Sequence, residues 1–316
     1  NFKLTRLKPS KEKSRAISLC VDLGLQKLAN GVQKSRENFL NVFFTAKTHK
    51  DDIPFRCIVS ERGSWQNNVS RYLLKQLNTL IIDDPFMVRN SLDIIAFLRE
   101  TKSLGCLFSI DVVDLFYSIP LKELLAAVLS CIEMNGQVSF QNTAGISVDN
   151  FITLLEFYLC STAVCFQDQF YVQKKGICIG SCVAPVLCNI FLADIDRTLS
   201  MVLDDGKVLK VFRYVDDFLI LLTERSPKTY SHTVQGILSE FKQHGKGLDF
   251  TFELAKDTSL QFLDLDITLT DEGSCWMYRP RARKELLPYE STHSKTVKRA
   301  IATMCLESAL KKSCCH

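Results

Sequence analysis

Two adjacent aspartates, Asp216 and Asp217, lie between two β-prone arms in the run VFRYVDDFLIL, residues 211–221. Short apolar arms on both sides of a polar pair predict a β-hairpin with the acids at its tip. A carboxylate among buried strands is costly unless it binds a metal or pairs with a cation. Taken alone, an Asp-Asp pair more often only makes a turn, because aspartate favours turns.

A third acid, Asp111, ends the predicted strand LFSID, residues 107–111. Phosphoryl transfer through two metal ions needs carboxylates that converge from different chain segments around ions roughly 3.5–4 Å apart. Three acids at the ends of apolar strands are what such a site needs, but the acids alone do not establish that they converge.

The remaining pattern predicts an α+β chain without internal repeats and without a glycine-rich phosphate loop. Residues 41–60 predict two short strands around a turn, and a Ser/Asn/Thr-rich loop is expected near Gly136. Further strands are expected in FTFEL, LQFLDLDITL and CWMYR. Helices are expected at 1–40, 65–80, 91–102, 121–134, 149–163, 184–200 and 227–244.

Charge is distributed unevenly along the chain. Residues 1–50 carry a net charge of +8, residues 51–274 carry −10, and residues 275–316 carry +6. An acidic centre between basic ends suits a carboxylate metal site flanked by surfaces that grip a polyanion. Charge scatter with solvated ends is the other interpretation of the same pattern.

The chain has 13 cysteines and no CxxC pair, and only Cys314-Cys315-His316 has zinc-like composition. Cysteines in apolar runs, such as Cys178, Cys182 and Cys188, predict buried free thiols in a reducing compartment. No apolar run reaches the roughly 18 residues of a membrane span, so we expect no membrane partner. Because the chain begins with Asn1, we expect a fragment or a degraded copy of a longer protein.

In this order, the motifs resemble those of reverse transcriptases. Tyr214-Val215-Asp216-Asp217 resembles the family's Tyr-x-Asp-Asp hairpin, and FSIDVVDLFYSIP (108–120) resembles the segment that carries the first catalytic acid, here Asp111. GICIGSCVAPVL, from residue 176, resembles the family's Gly-x-x-x-Gly-(Ser/Thr)-x-x-Ala-Pro segment. The resemblance implies a right-hand polymerase fold, with two Mg²⁺ ions (or Mn²⁺) held by Asp111, Asp216 and Asp217.

The same resemblance implies a set of nucleotide-binding residues. Phe116 falls where the family keeps an aromatic ring that would clash with a 2′-hydroxyl and so favour deoxynucleotides. KTHKDDIPFRCIVS (47–60) resembles the fingers strands, in which Arg56, helped by Lys47 or Lys50, would bind the triphosphate. The implied nucleotide-binding residues are Arg56, Lys47, Asp114, Phe116, Lys175 and Gly176.

The sequence departs from the family at Lys175, where glutamine is usual, and Gln173 lies two residues earlier. LQFLDLDITL (260–269) resembles the primer grip, and the resemblance implies Phe262, Leu263 and Asp264 as its residues. The choice between Lys246 and Lys256 as the proton donor to pyrophosphate stays open.

Several short runs resemble Penelope-like retroelements in particular. They are Thr-His-Lys (48–50), Cys-Ile-Val-Ser-x-x-Gly-Ser (57–64), Phe-Leu-Asp (262–264) and the tail from Tyr278-Arg279-Pro280 to Lys298-Arg299-Ala300-Ile301. The resemblance implies an intracellular, nuclear enzyme that uses dNTPs and an RNA or DNA template with a primer strand. It implies fingers at 1–105, a palm at 106–275 with a fingers insertion at about 121–170, and a truncated thumb at 276–316.

Three alternatives stay in view. The chain could be a retroelement relic that binds nucleic acid without polymerising, for which Lys175 argues. A viral RNA-dependent RNA polymerase usually carries a second acid five residues after the first, and Phe116 at that position disfavours it. A telomerase-like enzyme would share the palm, but we find no dedicated RNA-binding region in the sequence.

Overall fold

The computed structural model describes residues 2–6, 8–46, 53–101, 104–204, 206–223, 227–270, 273–280 and 286–314. The chain forms two compact units, each assembled from three stretches of sequence. The first unit comprises residues 1–84, 113–197 and 245–249, and the second comprises 85–112, 198–244 and 250–316. None of the helices in the described ranges combines the length and the apolar character that crossing a membrane requires.

The first unit contains a five-stranded sheet in the order β1-β6-β5-β2-β3, in which β2 and β5 are parallel and the other neighbours are antiparallel. Its strands are β1 (Phe2–Leu4), β2 (Leu40–Ala46), β3 (Phe55–Ser60), β5 (Ala163–Phe166) and β6 (Gln169–Gln173). Its helices are α1 (Pro9–Asp22), α2 (Gln26–Lys34), α3 (Trp65–Leu77), α5 (Leu115–Ser118), α6 (Leu121–Asn135), α7 (Gln137–Ala144), α8 (Val148–Cys160) and the larger part of α9 (Ala184–Val202).

The second unit contains two antiparallel sheets, in the orders β7-β8-β4-β9 and β10-β11-β12. Its strands are β4 (Cys106–Val112), β7 (Val208–Tyr214), β8 (Asp217–Leu222), β9 (Phe250–Leu254), β10 (Ser259–Phe262), β11 (Leu265–Thr270) and β12 (Gly273–Tyr278). Its helices are α4 (Ser91–Glu100), α10 (Pro227–His244) and α11 (Lys295–Lys311).

One apolar core holds the second unit together. Ile94 and Leu98 on α4 pack with Leu219 on β8, with Phe262 and with Trp276 on β12. Five consecutive residues of β8, after its initial aspartate, are buried. Such complete burial explains the unbroken apolar run in this strand, and it leaves Asp217 at the strand's partly exposed end.

The local sequence signals predicted most of these elements correctly. The helices expected at 65–80, 91–102 and 227–244 and the hairpins at 41–60 and 211–221 are all confirmed. The loop expected after Gly136 is wrong, because α7 occupies residues 137–144. Its Phe140 packs edge-on against Phe151 with ring centroids 4.9 Å apart. This tertiary contact outweighs the weak helix propensity of a polar segment.

Three strand assignments also need correction. Residues 2–4 form an edge strand instead of the start of a helix, and they pair with β6. The β5–β6 hairpin was not predicted, since its strands are only four and five residues long. The run LQFLDLDITL is two strands, because Leu263 takes a positive φ of 54° and reverses the chain.

The cysteines agree only in part with the expectation of free thiols. Cys178 and Cys188 are buried and Cys182 is half-buried, and these three cysteines form no disulfide. Cys275 and Cys314, however, form a disulfide that joins β12 to the segment after α11. The backbone brings them together, since the amide of Cys314 donates to the Trp276 carbonyl at 2.9 Å.

Candidate active site

Asp216 and Asp217 lie at the tip of the hairpin formed by β7 and β8, which we call the aspartate hairpin. Tyr214 pairs with Asp217, so the turn contains only Val215 and Asp216. Val215 has a φ of 58°, and Asp216 has no positive φ. A positive φ at the first central residue alone is the pattern of a type II′ turn, which usually has glycine there. A β-branched residue in this conformation is strained, and such strain concentrates at functional sites.

Arg213 supports this turn from inside the unit. Its side chain is fully buried, and Nη1 donates a hydrogen bond to the Val215 carbonyl at 2.9 Å. The guanidinium also lies over the Phe218 ring, 5.9 Å from its centroid. A buried cation therefore holds the strained residue immediately before the two aspartates.

Asp111 joins the aspartates through the pairing of β4 with β8. It is the direct cross-strand partner of Asp217, and the amide of Val112 donates to the Asp216 carbonyl at 3.1 Å. Directly opposite residues of an antiparallel pair point to the same face, and like charges there repel each other. A bound cation would relieve this repulsion, and carboxylate oxygens are the ligands that Mg²⁺ prefers.

The donor set therefore fits a divalent cation in its chemistry. Asp111 and Asp217 form the facing pair, and Asp216 is the adjacent turn residue. Among the described residues, no group of three or more His, Cys, Asp or Glu side chains is already gathered in a metal-binding arrangement. The three acids are thus close along the sheet, but their side chains are not preassembled around one point.

The predicted nucleotide-binding residues that the structure describes belong to the first unit, and backbone contacts connect several of them. Gly176 has a φ of 74°, and a Cβ on it would lie 2.0 Å from the Phe116 carbonyl oxygen. The Ile177 amide donates to that same oxygen at 2.7 Å. Residue 176 must therefore be glycine for this segment to approach Phe116. We call residues 176–185 the glycine segment.

Strand β3 also contacts the glycine segment. The amide of Val59 donates to the Ile179 carbonyl at 2.7 Å, and a Cβ on Gly180 would lie 2.2 Å from the Val59 carbonyl oxygen. Arg56 lies three residues before Val59, opposite Thr45, and its side chain is exposed. The glycine segment thus connects the strand of Arg56 to Phe116.

Tyr117 adds a second connection between these elements. Its hydroxyl donates to the Cys57 carbonyl, next to Arg56, at 2.9 Å. Burial, followed by the nearby Cys57 thiol, raises the pKa of Tyr117 to about 12, so the phenol remains a donor at neutral pH. Asp114 begins α5 in the left-handed conformation with a φ of 46°, and its carbonyl accepts from the Tyr117 amide.

Lys175 is exposed. The side chain of Gln173 forms its hydrogen bonds within its own loop. The side-chain nitrogen Nε2 of Gln173 donates to the Lys175 carbonyl at 2.7 Å, and the side-chain oxygen Oε1 accepts from the Cys178 thiol at 3.1 Å. Gln173 therefore shapes the loop in front of Gly176. Lys47 and Lys50 lie outside the described residues.

The predicted primer grip is the turn between β10 and β11. Phe262 is buried, Leu263 has a φ of 54°, and Asp264 accepts a hydrogen bond from Lys312 Nζ at 2.5 Å. Burial alone would raise the pKa of Asp264. The hydrogen bond from Lys312 and its positive charge outweigh burial and lower that pKa below its usual value.

Both lysines considered as proton donors have acidic neighbours. Lys246 forms a hydrogen-bonded ion pair with Asp194, which also pairs with Arg197 at 2.9 Å. Lys256 is exposed, and its Nζ lies 3.9 Å from Glu253. The ion pair gives Lys246 a structural role in the first unit.

Sequence reasoning missed Arg213 and Tyr117. Arg213 lies inside the run VFRYVDDFLIL, and a cation among buried strand residues is the signal that could have identified it. Tyr117 is adjacent to Phe116, but its hydrogen bond to Cys57 spans 60 residues.

The sequence of the chain matches a protein family, and its fold resembles solved structures. Residues 49–272 match the family model described as reverse transcriptase (RNA-dependent DNA polymerase). A search of curated protein sequences gave no match.

Solved telomerase structures resemble the chain at low sequence identity. Apo telomerase from Candida tropicalis, truncated from its C-terminal domain, is 16% identical with a TM-score of 0.52, and the match covers 83% of this chain and 60% of that one. Telomerase from Candida albicans with a fragment of telomeric RNA is 14% identical with a TM-score of 0.58, covering 86% of this chain and 51% of that one. The chain thus spans about half of that telomerase. These likenesses show a right-hand polymerase fold.

Proposed function

Because the chain belongs to the reverse transcriptase family, we propose that it is an RNA-directed DNA polymerase that adds dNTPs to a primer 3′-hydroxyl. The observation that carries this proposal is the cross-strand pair Asp111–Asp217 beside the strained turn at Val215. It supplies facing carboxylates on a rigid sheet, and a phosphoryl-transfer site needs such carboxylates.

In this proposal Asp111, Asp216 and Asp217 would hold two Mg²⁺ ions, with Mn²⁺ as the alternative metal. When bound, the ions would neutralise phosphate charge and favour ionisation of the primer hydroxyl. The chain's own part is to hold the three carboxylates in place, through the β4–β8 pairing and through Arg213 behind the turn.

The first unit would bind the incoming nucleotide. Arg56, with Lys47, would neutralise the triphosphate, and Phe116 would exclude a 2′-hydroxyl. Gly176 lets backbone approach Phe116, while Asp114 and Lys175 lie at the ends of the segments that carry these residues. The turn Phe262-Leu263-Asp264 would contact the primer strand.

We further propose a Penelope-like retroelement as the source, because of the short runs at 48–50, 57–64 and 262–264 and the basic tail. The template would be RNA, or DNA in second-strand synthesis, and the protein would act in the nucleus. Base pairing supplies the sequence information, so the protein would contact mainly phosphates and sugars.

A relic that binds nucleic acid without polymerising is the second candidate. The observation that favours it is Lys175, exposed in place of the glutamine that the family usually has. A cation there would change how the incoming base is held.

Primer extension on an RNA template with dNTPs and Mg²⁺ tests the proposal, with Asp216→Asn as the matched variant. We expect extension by the wild type and none by the variant, while both bind the template-primer duplex. If neither protein extends the primer and both bind the duplex, the relic replaces the polymerase. If both extend equally, the assignment of Asp216 is wrong.

A further inference from the structure

The carboxylate of Glu61 lies in the interior of the first unit, directly after β3. Its side chain is only 5% exposed, and no lysine, arginine or histidine of the described residues pairs with it. Tyr158 donates a hydrogen bond to Oε1, and Ser70 Oγ donates to Oε2 at 2.6 Å. A carboxylate is costly to bury without a cation. These hydroxyl groups are therefore what keeps Glu61 in this position.

Each of these two hydroxyl groups also forms a hydrogen bond with one residue of the glycine segment. Tyr158 Oη lies 2.5 Å from Ser181 Oγ, and since Tyr158 gives its proton to Glu61, Ser181 is the donor in this contact. Ser70 Oγ accepts from the Cys182 thiol at 3.3 Å. The buried carboxylate is thus linked to Ser181 through Tyr158 and to Cys182 through Ser70. We call these two links the arms.

These arms keep their direction at neutral pH. Burial raises the pKa of Tyr158 well above its ordinary value, and the negative charge of Glu61 raises it further. Tyr158 therefore remains a neutral donor to Glu61. Ser181 and Ser70 are themselves buried, so water does not compete for these hydrogen bonds.

Four other residues of the glycine segment make the contacts already described, Gly176 and Ile177 with Phe116, and Ile179 and Gly180 with β3. We propose that Glu61 is a positioning residue for nucleotide selection, because its two arms fix Ser181 and Cys182 and so hold the glycine segment against Phe116. This inference rests on the proposed polymerase function.

The kinetic test compares Tyr158→Phe, which cuts one arm, with Tyr72→Phe as a matched control. The Tyr72 hydroxyl also donates one hydrogen bond in the first unit, to the Ala144 carbonyl at 2.8 Å, away from the glycine segment. We expect Tyr158→Phe to raise the KM for dNTP about tenfold, with kcat per active site changed less than about twofold. Its preference for dNTP over rNTP should fall, and Tyr72→Phe should keep wild-type values.

A second readout needs no catalysis. Hydrogen exchange of the amides in residues 176–185 should quicken in Tyr158→Phe and in Ser70→Ala, and should stay at the wild-type rate in Tyr72→Phe. Unchanged exchange in both arm variants would overturn the proposal. So would a loss of kcat per active site at constant KM, since that outcome places the effect on the chemical step and not on dNTP binding. If the wild type extends no primer, the polymerase function fails, and the exchange rates alone decide whether Glu61 positions the segment.

Discussion

At the residue scale, Gly176 shows how a single missing Cβ brings two backbone segments together. Alanine at position 176 would have to accept a positive φ and a Cβ 2.0 Å from the Phe116 carbonyl. Gly145 is a matched control, because its φ of 75° is nearly the same and nothing lies within 4 Å of its Cβ position.

We expect Gly145→Ala to lower the free energy of unfolding by about 1 kcal/mol, the cost of the left-handed conformation. Gly176→Ala should lower the free energy of unfolding by a further ~1–3 kcal/mol because of overpacking. It should also lose dNTP incorporation. Urea denaturation of both variants measures the difference. Equal losses in the two variants would show that the approach to Phe116 is not tight.

The facing carboxylates give a second prediction at this scale. Mg²⁺ should stabilise the wild type, by about 1.4 kcal/mol when its concentration is about ten times Kd. Asp111→Asn should lose most of this gain, since it removes one of the two facing ligands. Thermal unfolding with and without Mg²⁺ checks this, with Ca²⁺ as a non-catalytic comparison. A full Mg²⁺ response in Asp111→Asn would contradict the metal assignment.

At the element scale, Lys312 ties the segment after α11 to the turn between β10 and β11. Its partner Asp264 has a lowered pKa in the folded chain. A lowered carboxyl pKa stabilises the fold above the unfolded pKa of about 3.9, and this contribution is lost as pH falls through the folded pKa.

Lys312→Met should therefore lower the free energy of unfolding by about 1–2 kcal/mol at pH 7. Most of this loss should disappear in acid, where only the contact of Lys312 with the Tyr278 ring remains. Lys311→Met is the control, because Lys311 pairs with Glu307 on the exposed face of α11 and should contribute less than about 0.5 kcal/mol. Denaturant unfolding across the acid range provides the measurement. A cost that does not change with pH would exclude the ion pair as its source.

The elements that could be predicted are those specified by neighbours in sequence. The aspartate hairpin and α10 follow from short-range pattern, and both were predicted within a few residues. The Glu61 network could not be predicted, because Tyr158 and Glu61 are 97 residues apart. The pairing of Asp111 with Asp217 is equally long-range, and only resemblance to a family placed these acids in one site before the structure.

At the scale of the whole molecule, the basic stretches 1–50 and 275–316 should make duplex binding strongly dependent on salt. Six phosphate contacts would weaken binding on the order of 10³-fold between about 50 and 200 mM salt. Fluorescence anisotropy with an RNA–DNA duplex measures this. Asp216→Asn should show the same slope as the wild type, and two duplexes of unrelated sequence should bind alike. A shallow slope would place the contacts elsewhere than on phosphates.

Each compact unit is assembled from three separate stretches, and the chain passes from one unit to the other at residues 84, 112, 197, 244 and 249. This connectivity has a consequence for how such a gene decays. A premature stop codon or a frameshift between these crossings removes parts of both units at once. A copy with such damage therefore cannot keep the first unit intact while it loses part of the second. Loss of activity through damage before residue 249 that spares both units therefore requires a substitution or an in-frame change.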